Sequence, residues 1–153
     1  MGNSKRREKH SVTPVVATGG AYSAGDNIGG KLTFQGGGKA AQYKIASIRG
    51  IYIIDVIAQD AAIDVVIFDE DPAATTFTDQ APLNIATVDI PKIIHIENLD
   101  FYDALGSSSI VGRVSIDVSV APSDRLYVAL ISRGTPTYTS VSDLTVTLIT
   151  EEL

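Results

Sequence analysis

Apolar and polar residues alternate with period two through much of this chain. In Val114-Ser115-Ile116-Asp117-Val118-Ser119-Val120 every even position is apolar, which buries one face of a strand and leaves the other to Ser and Asp. The same alternation runs through Leu126–Leu130, through Leu144–Leu148, and through Ile28, Gly30, Leu32 and Phe34. Ile51–Ile57 and Val65–Phe68 are more continuously apolar, as central strands covered on both faces are, and Ile93–Ile96 is a shorter run. Turn residues punctuate these runs at Gly19-Gly20, Gly25-Asp26, Gly36-Gly37-Gly38, Asp71-Pro72, Ala81-Pro82, Ala121–Asp124 and Gly134–Pro136. Helix signals are confined to Asn98–Leu105 and a turn at Asn84–Val88. About seven to nine short strands at this spacing predict an all-β fold, an antiparallel β-sandwich of jelly-roll or Ig-like kind.

The first eleven residues, MGNSKRREKHS, lack any apolar period and predict a disordered or extended N-terminal arm. Residues 12–153 then form a single sandwich domain, within the size of one hydrophobic core. Charge sharpens this division. The net charge of −6 splits into +3 for the first ten residues and −9 for the rest, with eleven acids between Asp55 and Asp103 facing only Lys92. Lys5, Arg6, Arg7 and Lys9 are therefore the candidate partner-binding residues, suited to acidic groups on another protein. Contact of the arm with packaged DNA is the other use of that charge, whereas the acidic body is expected to repel nucleic acid. No apolar run approaches the roughly 18–20 residues of a membrane span, and no secretory segment follows the basic start.

The residues available for chemistry are few. The absence of Cys excludes disulfides, thiol nucleophiles and thiolate-held metals. Gly36-Gly37-Gly38-Lys39-Ala40 lacks the Ser or Thr of a phosphate loop and reads as a flexible hairpin loop. Of the two histidines, His10 lies in the arm, and His95 lies in an apolar strand where it is expected to pack at an edge or pair with Glu97. Asp69-Glu70-Asp71 ends at Pro72 without the spacing of a calcium loop, and reads as a solvated turn. These residues predict no enzyme activity, no cofactor and no metal. The strongest enzymatic alternative is a glycosidase using two of Asp69, Asp71, Asp79 and Asp117. Tyr22, Tyr43, Tyr52, Tyr102, Tyr127 and Tyr138 offer a sugar-stacking alternative, although Trp, the usual residue for it, is absent.

Three strings carry a resemblance. Ala21-Tyr22-Ser23-Ala24-Gly25-Asp26-Asn27-Ile28-Gly29-Gly30 resembles the opening of a family of small structural proteins from tailed bacteriophages. Phe68-Asp69-Glu70-Asp71-Pro72 with Thr75-Thr76-Phe77-Thr78-Asp79 is similar to its central segment. Arg133–Ser140 and Ser142-Asp143-Leu144-Thr145 are similar to its closing hairpin. The resemblance spans Tyr22 to Leu148 and leaves out the basic arm. It implies a non-enzymatic virion protein made in the host cytoplasm and placed on the capsid exterior. There it would act as a head decoration or cement protein on the major capsid protein, as a homo-oligomer (dimer or trimer). Placement on the tail or a fibre is the alternative position, and a surface adhesion module that binds carbohydrate through its tyrosines is the alternative function.

Overall fold

The alternation in the sequence becomes two antiparallel sheets packed face to face. A computed structural model describes residues 5–36, 44–102 and 110–152. Its strands are β1 (Arg6–Val12), β2 (Asn27–Gln35), β3 (Ile45–Asp55), β4 (Ile63–Phe68), β5 (Ile93–Leu99), β6 (Phe101–Tyr102), β7 (Ile110–Ser123), β8 (Arg125–Ser132) and β9 (Leu144–Glu152). One sheet has the order β1-β9-β3-β7-β6 and the other β2-β8-β4-β5. The expected all-β sandwich is thus the observed fold.

Ile48, Ile51 and Ile53 of β3 meet Val65 and Ile67 of β4, Val128 and Leu130 of β8, and Val146 and Leu148 of β9 in one inter-sheet core. Each fully buried aliphatic side chain of this kind contributes about 1.5–3 kcal/mol relative to exposure. On β7, Ser115, Asp117 and Ser119 are exposed while Val114, Ile116 and Val118 pack against the core, as the alternation requires. β4 is covered on both faces. Val66 and Phe68 point away from the inter-sheet core into a second cluster, roofed by Phe77, Leu83, Ile85 and Ile93. That roof is the excursion between β4 and β5. It is pinned by Asp89, fully buried, which accepts from Thr75 Oγ1 at 2.6 Å and from Lys92 Nζ at 2.8 Å.

Three details differ from the sequence expectations. The arm is extended but not free: from Arg6 onward it is strand β1, paired antiparallel to β9 from Arg6↔Glu152 to Val12↔Val146. β9 has an open edge there, and the inward-facing His10 shares Nε2 between Glu152 Oε1 at 2.8 Å and Thr150 Oγ1 at 3.2 Å. The short helix is a 3-10 segment at Thr87–Lys92, while Asn98 and Leu99 belong to β5. The alternation of β2 is broken by a bulge between Ile28 and Lys31, where Gly29 and Gly30 have φ of 78° and 77°. A Cβ on Gly29 would collide with Pro14, so both backbone sign and space select glycine. Residues 1–4, Gly37–Tyr43 (with most of the expected flexible hairpin loop), 103–109 and Leu153 lie outside the described residues.

Candidate partner-binding face

The outer face of the five-stranded sheet brings three of the four candidate arm residues together. Residues of β1 alternate, so Arg7 and Lys9 point outward on the same face as Tyr52 and Ile54 of β3, Val111 and Arg113 of β7, and Ile149 of β9. They enclose a depression of about 420 Å³ with an apolar floor and a rim of cations. Gly50, opposite Ile149, is buried beneath that side chain: a Cβ there would meet Ile149 Cδ1 at 3.2 Å.

Beside the depression lies a charge cluster. Arg49 bonds Asp117 at 2.7 Å and Glu151 at 3.1 Å, and Lys5 and Arg7 each approach Glu151 at 3.7 Å. The Arg49 hydrogen bond holds the Glu151 carboxyl below its ordinary value, with the nearby positive charges of Arg49, Lys5 and Arg7 adding to it. Lys5 therefore stands at the edge of this face. Arg6 points the other way and pairs with Glu8 on its own strand. Lys9 and Arg113, both exposed, have no ion-pair partner among the described residues. The face thus carries more positive charge than its own carboxylates neutralise, on a chain whose net charge is −6.

Arg113, Arg49 and Gly50 were not among the residues singled out by sequence, and Tyr52 was named only as one of the sugar-stacking tyrosines. Carrying the β7 alternation back one step from Ser115 places Arg113 outward. No comparable signal reaches Tyr52 and Gly50, because β3 shifts register between Ile45 and Ser47 and again between Ile48 and Gly50.

The alternative chemistries are scattered. Asp79 accepts from the Tyr22 hydroxyl and from Gly29 N, each at 2.7 Å, and so secures the β2 bulge. Asp71 pairs with Lys31 at 2.6 Å in a depression it shares with Asp69, Glu70, Asp124, Arg125 and Tyr127. Asp117 is on the opposite sheet, bound to Arg49. His95 bonds Glu97 at 2.7 Å on edge strand β5, as expected. Among the described residues no three His, Asp or Glu side chains gather in a metal-holding group. Tyr22 and Tyr138 are core residues, stacked edge to face at 5.6 Å, and burial raises both phenols far above their ordinary value. Tyr52 and Tyr127 occupy outer faces of different sheets, while Tyr43 and the Tyr102 side chain lie outside the described residues.

Among the described residues no helix is long and apolar enough to cross a membrane. Compared with models of known protein families and with curated proteins, the chain matches none.

Proposed function

We propose that this chain is a non-enzymatic virion structural protein, a capsid decoration (cement) protein that binds the outside of the major capsid protein shell and stabilises the head. The observation that carries this reading is the open basic face of the five-stranded sheet, a contact surface on an otherwise acidic protein. Lys5, Arg7 and Lys9 contribute to it from β1. A rigid sandwich holding such a face can make many modest contacts across a lattice, and multivalency makes them sufficient.

The three strings that resemble phage structural proteins also come together in space, which supports treating them as one unit. Tyr22 N donates to Pro136 O at 2.9 Å, the Tyr22 ring meets Tyr138, and the Tyr22 hydroxyl donates to Asp79. One string therefore touches both of the others through a single side chain and its backbone. A dimer or trimer is the expected assembly, since lattice two-fold and three-fold positions select closed symmetry.

The test is co-purification with capsids. Decoration requires stoichiometric copies matched to the head lattice and raised resistance of the head to heat. Recovery with tails alone would replace this reading with a tail or fibre role.

A further inference from the structure

We infer that the depression on the outer face of the five-stranded sheet is a docking groove for an extended acidic polypeptide segment with one apolar side chain midway between two carboxylates. The assignment of that segment to a capsid protein rests on the reading above; the chemistry of the groove does not.

The geometry sets the spacing. Lys9 on β1 stands level with Ile149 and Gly50, and Arg113 on β7 level with Tyr52, so three strand spacings across and two residues along, about 16 Å, lie between them. An extended polypeptide covers about 14 Å in four residues at roughly 3.4 Å each, and the long Lys9 and Arg113 side chains span the remainder. Side chains of an extended segment return to the same side every second residue. Carboxylates at positions i and i+4 therefore reach Lys9 and Arg113, and the side chain at i+2 falls between them. Between them the sheet presents Ile149 on the row of Lys9 and Tyr52 on the row of Arg113. A Cβ at position 50 would sit 3.2 Å from Ile149 Cδ1, so Ile149 already covers Gly50, and the open apolar floor is made by Tyr52, Ile54, Val111 and Ile149. An aliphatic side chain at i+2 packs on that floor.

Charge selects among occupants. Lys9 and Arg113 are the groove's unneutralised cations, while Glu151 and Asp117 stand to its side and are held by Arg49. A nucleic acid would carry its regular phosphates past those two carboxylates and would leave the apolar floor unused. A second copy of this chain offers the acids around Asp71, but Asp71 is already paired with Lys31. A short segment with charge only at its two ends meets the cations, covers the apolar floor and avoids the acids.

The experiment uses the full chain and labelled peptides of sequence Asp-Ser-Leu-Ser-Asp, with Asp-Ser-Ser-Ser-Asp and Lys-Ser-Leu-Ser-Lys as partners in the comparison, read by fluorescence anisotropy. The acidic Leu peptide is expected to bind, and to weaken about tenfold or more when Leu becomes Ser, given the transfer free energy of a buried Leu. The double variant Lys9→Glu/Arg113→Glu should lose the acidic peptide and gain the basic one. Circular dichroism and thermal midpoint should stay unchanged, since both positions are exposed. That exchange of preference is not produced by a fold defect. Equal binding of the acidic peptide to both proteins overturns the inference. Tighter binding of an oligothymidylate than of the peptide overturns it in favour of nucleic acid. Self-association that the double variant abolishes overturns it in favour of a second copy. Capsid binding separates this claim from the one above. Wild type and double variant decorating capsids equally removes the groove and keeps decoration. Peptide binding by a protein that ignores capsids does the reverse.

Discussion

The two sheets of this sandwich treat their outer faces in opposite ways. The four-stranded sheet is roofed by its own chain: the β4–β5 excursion places Phe77, Leu83 and Ile85 over Val66, Phe68 and Ala129. Among the described residues the five-stranded sheet has no such roof, and presents Tyr52, Ile54 and Ile149 half-buried among Arg7, Lys9 and Arg113. One sheet has its second face covered by its own chain, and the other presents an apolar floor and cationic rim among the described residues. An apolar floor within a charged rim is the pattern of a contact surface, where the centre supplies burial and the rim orientation.

The largest effect that would separate the two faces is on stability. Phe68→Ala empties a fully buried site and removes the edge-to-face contact with Phe77 at 6.4 Å. Urea denaturation should show a loss of about 3–5 kcal/mol. The matching truncation on the open face, Ile54→Ala, should cost about 1 kcal/mol or less, because less area leaves water. Equal losses would mean that the open face is as fully packed as the roofed one.

Next is the pin of the roof. Thr75→Val removes the hydroxyl that donates to Asp89 and accepts from Ala86 N at 3.0 Å. Leaving those buried groups short of a partner should cost about 1–3 kcal/mol by chemical denaturation. Hydrogen exchange should rise first in residues 69–92, with the open sheet unchanged. A uniform rise over both sheets would contradict an independently held roof.

Acid acts on both faces, and its sign follows from the carboxylates involved. Asp89 is held below 3.8, first by its Lys92 hydrogen bond and then by Thr75, and Glu151 is held below 4.5 by Arg49. Their contribution is complete above those ordinary values and is lost as pH falls through the lowered ones. Asp55 works in the other direction: burial raises its carboxyl above 3.8, so its protonation favours the folded state as pH falls toward that value. The denaturation midpoint should fall below about pH 4. Asp89→Asn should flatten that fall, and Asp55→Asn should steepen it. Parallel acid limbs in all three proteins would discard this assignment.

The smallest stability effect belongs to the rim. Lys9→Glu/Arg113→Glu should shift stability by no more than about 0.5 kcal/mol, as exposed charges do. Its effect is on partner binding alone, and a large drop in thermal midpoint would show that the rim is part of the fold.

How far these features could be read from the chain follows from where their causes lie. β7, β8 and β9 show in the alternation because each has one face in the core and one outside. β4 shows as a continuous run because the roof covers its second side, although nothing in the run says which segment provides the cover. β1 escapes prediction because its pattern, Arg-Arg-Glu-Lys-His-Ser-Val, has no apolar face of its own. It is a strand because β9 offers an edge and because Glu152 and Thr150 receive His10. Its cations were legible as binding residues from charge alone, but not the direction in which they point, which separates Arg7 and Lys9 from Arg6. The other half of the groove depends on two register shifts in β3, tertiary features that no local pattern encodes.

The pairing of β1 with β9 also sets a timetable. On the ribosome, β1 waits for a partner made more than 130 residues later, a delay of roughly 7–30 s at ordinary elongation rates. β3, at the centre of the same sheet, gains its neighbours β7 and β9 only late as well. The roofed sheet keeps a different schedule: β4, its roof and β5 are consecutive in the chain, and β8 completes the sheet before β9 is made. The open basic face is thus complete only once β9 has been made, after the roofed sheet already has all its strands.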